Sequence, residues 1–337
     1  MHLSLFFATL GLISTPALAA KSPKRGLVSV PNENWPQDDE IWVRPDSPIS
    51  WYWNFHWNVS AVYASLPQDD IEFVPMMYSG GSNDTHFLGN ITALMKPAGG
   101  KGGRNITHII GFHQPDQSFS EGGSQMTPAA AARAWVRNLL PLREEFGIKL
   151  GLPVVGDPRG GWLDPFLRNC SSLNGNEKCG FDFVPFVSFG NIGVLQDRIG
   201  KFSSAFPDVP LWVVEYGFPD QDEATTEGFF NESLSLLEST DAVERYSWFG
   251  SFRSIVSNVG PNQAMLDQSG NLTDIGYWYM GLNATSRESD SDETQGEGCT
   301  VENPCVDREN GGANLLVAQR TGLWWVASAL SCLLPLF

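Results

Sequence analysis

The feature that most constrains this 337-residue chain is a series of short apolar runs. Eight of them recur: GLVSV (26–30), ISWYWNF (49–55), IEFVPMMY (71–78), HIIGF (108–112), KLGLPVV (149–155), FDFVPFVSF (181–189), PLWVVEY (210–216) and ERYSWFG (244–250). Near-continuous apolar runs are what parallel strands buried on both faces require. Helical patterns separate several of them. Thr127 and Pro128 open the clearest, AAAARAWVRNLL, with threonine as cap and proline in the first turn. Pro141 should end or kink that helix, because proline lacks the N–H a helix interior needs. SLSLLEST (233–240) is a shorter candidate. Alternating strands and helices imply a parallel sheet, and eight of them imply closure into a (β/α)8 TIM barrel. The competing architecture, an open doubly wound sheet, would place a glycine-rich phosphate loop after the first run, and none follows it.

The flanks differ in character from this middle. MHLSLFFATLGLISTPALAA carries an apolar run ending in Ala17-Leu18-Ala19, the pattern of a secretory signal peptide over residues 1–19, too short to span a membrane comfortably. At the other end Asn310-Gly311-Gly312, a spacer of about ten residues and the apolar tail TGLWWVASALSCLLPLF have the layout of a GPI-attachment signal, with Asn310 as the attachment residue and Gly311 as the alternate. The alternative there is a short C-terminal membrane helix. Residues 311–337 would then be removed, and membrane contact would be through the lipid alone. Between 287 and 310 there are eight acids against two arginines, so the Ser/Glu-rich segment 285–310 is expected to be a disordered stalk. What remains, 21–284, is expected to be one domain and a monomer.

Export explains the cysteines. Cys332 leaves with the tail, and proximity pairs Cys170 with Cys179 and Cys299 with Cys305 in an oxidising compartment. Metal binding is the alternative, but no histidine-rich cluster accompanies them, so neither metal nor cofactor is expected. Eight N-x-S/T sequons begin at Asn58, Asn83, Asn90, Asn105, Asn169, Asn231, Asn271 and Asn283. Asn58 and Asn105 adjoin strands and are expected to be the least accessible. A net charge of −17 argues against nucleic acid as a partner and is neutral towards uncharged polysaccharides.

In a barrel of this kind the site lies at the C-terminal ends of the strands. There the sequence places Phe55 with Asn54 beside it, Tyr78, His113, Gln114, Phe189, Glu215 and Trp248. Flat aromatic faces with fixed amides suit sugar rings; the plainer reading is that they cover the top layer of the barrel. Glu215 ends a strand after four apolar residues, and a buried carboxylate is costly unless it is paired or functional. Its structural alternative is a salt bridge to an arginine.

From Arg25 to about Gly281 the chain resembles glycoside hydrolase family 128, β-1,3-glucanases of fungi and bacteria in clan A. The resemblance rests on Ser50-Trp51-Tyr52-Trp53-Asn54-Phe55, Phe73-Val74-Pro75-Met76-Met77-Tyr78, Gly111-Phe112-His113-Gln114-Pro115-Asp116, Trp212-Val213-Val214-Glu215, Tyr246-Ser247-Trp248-Phe249, and Leu272-Thr273 with Gly276-Tyr277. It implies Glu215 as nucleophile and substrate contacts from Asn54, Phe55, Tyr78, His113, Phe189 and Trp248. The departures matter equally. The family's Gly-Phe-Asn-Glu-Pro-Asp motif has His113 for its asparagine and Gln114 for its acid/base glutamate, and Val187-Ser188-Phe189 replaces a His-Trp-Tyr. Glutamine has no proton to give near neutral pH, and general acid catalysis contributes typically 10²–10⁴-fold. The sequence therefore points to a cell-surface β-glucan-binding protein with impaired catalysis. The alternatives are an active endo-β-1,3-glucanase using a rescue acid, Asp116 or Glu121, and a non-binding surface antigen or wall-structural protein. Asp116 is more simply expected to cap the turn after Pro115.

Overall fold

All eight apolar runs become short parallel strands in a computed structural model, which describes residues 21–81, 83–97 and 102–283. These are β1 (Gly26–Val28), β2 (Trp51–Trp53), β3 (Glu72–Phe73), β4 (His108–Ile109), β5 (Lys149–Leu150), β6 (Val184–Phe189), β7 (Leu211–Gly217) and β8 (Val243–Trp248). They form three sheets, ordered β1-β2-β3, β4-β5 and β6-β7-β8. Isolated parallel bridges pair Met76 with Ile110, Gly151 with Phe183 and Arg25 with Tyr246. The architecture is thus a single α/β domain of eight short strands in small sheets, coarser than the continuous barrel expected from the sequence. Pro75 and Pro153 lie just beyond β3 and β5, where they cannot donate to an extension of those ladders.

Helices follow six of the strands: α1 (His86–Met95), α2 (Pro128–Phe146), α3 (Leu163–Leu173), α4 (Ile192–Ala205), α5 (Glu223–Ser239) and α6 (Asp274–Tyr279). After β1 and β2 the connections carry only 3₁₀ segments, Pro36–Val43 and Ala61–Tyr63. The Thr127 side chain accepts from Ala130 N and caps α2 as expected. Pro141 does not end the helix, which runs on to a left-handed Gly147. An interior proline costs about 3 kcal/mol. Burial of Trp135, Leu139 and Leu142 on the same helix, at about 1.5–3 kcal/mol per large side chain, outweighs it. SLSLLEST is the end of the longer α5, whose start is set by Asp222 accepting from Thr225 N.

Strand side chains alternate between two apolar layers. Val28, Trp53, Val74, Ile110, Val187 and Val214 pack with one another on the inner side. Leu27, Tyr52, Phe73, Ile109, Val213 and Tyr246 pack outward against the helices. At the N-terminal ends of the strands sits a polar plug. Glu72 accepts from Arg245 (2.7 Å) and Thr107 (2.6 Å) and contacts the His108 ring (2.7 Å). The Arg245 guanidinium lies over the Trp212 ring at 4.3 Å and the Trp51 ring at 5.5 Å. Burial alone would raise the Glu72 carboxyl, but His108 and Arg245 hold it down at about 2.

Cys170 and Cys179 are disulfide-bonded, tying the end of α3 to the approach to β6. Cys299, Cys305 and Asn310 lie outside the described residues. Of the sequon asparagines, Asn58 and Asn105 are exposed, contrary to expectation, because each stands in a loop beyond the strand it adjoins. Asn90 and Asn169, half-buried on helices, are the more enclosed.

Candidate functional site

Glu215 and His113 come together at the inner side of the strand ends. Glu215 lies near the end of β7 and is 6% exposed; His113 follows β4 and is 2% exposed. His113 Nδ1 stands 3.8 Å from Glu215 Oε1. That is too far for a hydrogen bond, and both atoms are buried without a partner. The approach is within ion-pair range, yet the two groups are not an ion pair near neutrality. Burial pushes the Glu215 carboxyl up to about 8. Burial also lowers His113 to about 4, with a hydrogen bond to the Gln114 side chain opposing the shift. Each charge loses more by desolvation than it recovers from the other at this distance, so the neutral acid faces the neutral imidazole. The arginine partner considered for Glu215 is not present among the described residues.

Aromatic rings fix the imidazole. Tyr78 stacks on His113 at 5.4 Å and 19°, and Phe55 meets it edge-on at 5.4 Å. Trp53 packs on Phe55 at 4.4 Å. The Tyr78 hydroxyl donates to Gly122 O at 2.8 Å, which anchors the loop after β4 over this stack. Two site residues take left-handed backbone, Phe55 (φ 65°) and Gln114 (φ 37°). Such conformations cost of order 1–3 kcal/mol and persist where the surroundings impose them. At Gln114 the cause is a tight return of the chain, in which Gln117 N donates to Gln114 O and Ser124 N to His113 O.

Several expected contacts are displaced. Trp248 is fully buried, and its Nε1 donates to Gln263 O at 2.9 Å. Along β8, Arg245 and Ser247 face inward while Tyr246 and Trp248 face the helices, so Trp248 packs on Phe230 rather than offering a sugar-stacking face. Asn54 is also buried. Its amide donates to Asn58 O and Ser60 Oγ and its oxygen accepts from His56 N, which uses it to hold the loop after β2. Phe189 is half-buried against Phe249 at 5.8 Å. Asp116 does not cap its own turn: it crosses to accept from Gly156 N at 3.0 Å. Glu121 is exposed and turned back on Ser118, accepting from its N and Oγ. Both candidate rescue acids are therefore committed to loop structure. Sequence reading missed Trp53 and Ser247, whose polar atoms reach each other beside Glu215 at 3.3 Å; the one signal was a small polar residue set between aromatics in Tyr246-Ser247-Trp248. A surface cavity of about 770 Å³ lined by Asp157, Arg159 and Arg198 holds none of these groups. No cluster of three metal-ligating side chains occurs among the described residues.

A parallel α/β domain with a buried glutamate at the end of its seventh strand has the layout of a glycoside hydrolase. The chain belongs to the glycosyl hydrolase catalytic core family, which matches residues 26–279, and its domain is of glycoside hydrolase family 128. It is 28% identical over 269 residues to alkali-sensitive linkage protein 1 of Schizosaccharomyces pombe, over 77% of this chain and 44% of that protein. The chain thus spans less than half the length of that relative. Among solved structures it resembles a curdlan-specific exo-β-1,3-glucanase of family 128 from Blastomyces gilchristii, in complex with glucose. Identity there is 26% and the TM-score 0.52, over 77% of this chain and 98% of that one. It also resembles a family 128 oligosaccharide-binding protein from Trichoderma gamsii, at 17% identity and TM-score 0.58, over 84% of this chain and 99% of that one.

Proposed function

We propose that this protein binds β-1,3-glucan at the cell surface and hydrolyses it poorly or not at all. The observation that carries the reading is the neutral pair at the site. Gln114 supplies no proton, and Glu215, buried against His113, is held largely protonated below pH 8. A retaining mechanism needs one protonated and one ionised carboxyl; this site has a single carboxyl in the wrong state. His113 does not fill the gap, because an imidazole that titrates near 4 has no proton to donate at neutral pH. The solved relatives include both a glucanase and an oligosaccharide-binding protein, which supports a sugar-binding role for this fold. Partly exposed surface remains at the half-buried Phe55, Tyr78, Gln114 and Phe189.

The single bridges between the sheets, and the pairing of Arg25 with Tyr246 in particular, support closure of the eight strands into one (β/α)8 barrel. The terminal segments support export and lipid anchoring through Asn310, with release by a phosphatidylinositol-specific phospholipase as the check. The function itself is tested by co-sedimentation with insoluble β-1,3-glucan alongside reducing-end release from laminarin. Sedimentation with background release is the expected result. Release that disappears in Glu215→Gln would establish the hydrolase reading instead, and failure to sediment would leave the surface-antigen reading.

A further inference from the structure

Glu215 faces His113 only because β7 breaks its own alternation. Successive strand residues point to opposite faces. Trp212 and Val214 pack in the inner layer, and Val213 in the outer. Regular alternation would send Glu215 outward among the helices and Tyr216 inward. The reverse is found: Tyr216 lies in the outer layer and Glu215 reaches His113. The pairing with β8 shows the cause. Val213 pairs with Tyr246 and Tyr216 with Trp248, so two β7 residues, Val214 and Glu215, stand opposite Ser247 alone. The register with β6 shifts at the same place, between the Phe186–Val213 and Val187–Glu215 pairs. One extra residue in a strand leaves its backbone groups out of the ladder and re-aims the side chain.

The freed carbonyl is that of Val214, and two side chains take it up. Ser247 Oγ donates to Val214 O at 2.6 Å, and Trp53 Nε1 lies 3.2 Å from the same oxygen and 3.3 Å from Ser247 Oγ. Val214, Ser247 and Trp53 are all fully buried, so no water replaces these donors. A buried carbonyl left without a partner is costly, so the two donors and the bulge depend on each other. We propose that Ser247 and Trp53 are positioning residues that hold the β7 bulge, and that through it they turn Glu215 from the helical face into the site. The inference rests on the reading of Glu215 as the centre of the site. It gives Trp53 two tasks, since the same ring packs on Phe55.

The test is Ser247→Ala, with Trp53→Phe as the second variant, which removes the indole donor together with part of the ring that packs on Phe55. The first readout is the carbon-13 titration of the Glu215 carboxyl in the folded protein, where Tyr78 and His113 are the titratable groups facing it. A carboxyl no longer held on the inner face changes its surroundings and should shift its titration by about one pH unit or more in either variant. The second readout is affinity for laminarin oligosaccharides, measured for Ser247→Ala alone and in a Glu215→Ala background. About fivefold weaker binding alone, and no further loss in that background, is expected of a residue that acts through Glu215. An unchanged Glu215 titration in both folded variants would overturn the proposal, as would an equal loss of affinity in both backgrounds. If the parent protein binds no glucan, the proposed function fails, while the titration still decides the positioning role.

Discussion

Replacing Glu215 by glutamine should stabilise the protein, and by an amount that grows with pH. The folded carboxyl titrates at about 8 against an ordinary 4.5, with burial as the cause. Between those values the folded state binds more protons than the unfolded one, so stability falls as pH rises through the window. At 1.36 kcal/mol per tenfold change, the cost is near zero at pH 4, about 3 kcal/mol at pH 7 and about 5 kcal/mol well above pH 8. His113 has the opposite sign. Its folded value of about 4 lies below the ordinary 6.5, so it makes stability rise with pH between those limits. The two slopes nearly cancel from pH 4.5 to 6.5, and the wild type should then weaken from 6.5 to 8. In Glu215→Gln the His113 slope remains and the Glu215 slope is gone, so the difference between the proteins isolates the carboxyl. Urea unfolding followed by tryptophan fluorescence at pH 4 to 8 measures it. The variant should match the wild type near pH 4, apart from a constant offset, and exceed it by about 3 kcal/mol more at pH 7. Parallel curves across the range would mean that Glu215 is ionised in the folded protein, and the neutral-pair argument would fall.

Trp248→Ala should cost about 3–5 kcal/mol of stability through the cavity it leaves, while glucan affinity per folded molecule stays the same; a selective loss of binding would restore its expected role at the sugar. The Glu72 carboxyl, held at about 2, contributes about 3 kcal/mol that is complete above pH 4.5 and lost as pH falls towards 2. Glu72→Gln should flatten that acid limb of the unfolding curve, and an unaltered limb would place the acid-sensitive group elsewhere. Gln114→Glu alone should raise laminarin hydrolysis only modestly, and more when combined with His113→Asn; wild-type hydrolysis that Gln114→Glu leaves unchanged would mean another acid already works.

The eight strands were legible because two-sided burial writes itself as contiguous apolar runs. Glu215 was legible because a carboxylate after Leu211-Trp212-Val213-Val214 conflicts with that burial. Strand length and parity were not. Nothing in LWVVEYG marks an extra residue at Val214–Glu215, since a bulge is fixed by what its free carbonyl finds across the interior, here Ser247 and Trp53. The same blindness misplaced Trp248. The sequence locates it at the end of β8, but not on the outward-facing side of it. Asn54 was misread for a related reason: an amide at a strand end can serve a ligand or its own loop, and Ser60 and Asn58, which decide the matter, follow in the chain without a distinguishing pattern.

The departures from the family pattern act as one change. In a two-carboxyl site each charge opposes the other's ionisation, and solvent and polar neighbours keep the nucleophile charged. On the reading proposed above Gln114 stands in place of the second carboxyl; Val187 pairs alongside Glu215, and His113 lies between Tyr78 and Phe55 with burial holding it neutral. Every one of these neighbours is uncharged, and the Glu215 carboxyl answers by keeping its proton. A carboxyl introduced at 114 therefore enters a site that already holds a proton in the wrong place. With one proton shared between two acids, burial favours it on Glu215, whereas glycoside cleavage needs it on the residue at 114. The productive arrangement is the minor one until something stabilises an ionised Glu215. An asparagine at 113 would do so by offering an N–H where the imidazole nitrogen now faces Oε1 unpaired. That is why the double substitution, rather than Gln114→Glu alone, is the measure of how far this fold stands from catalysis.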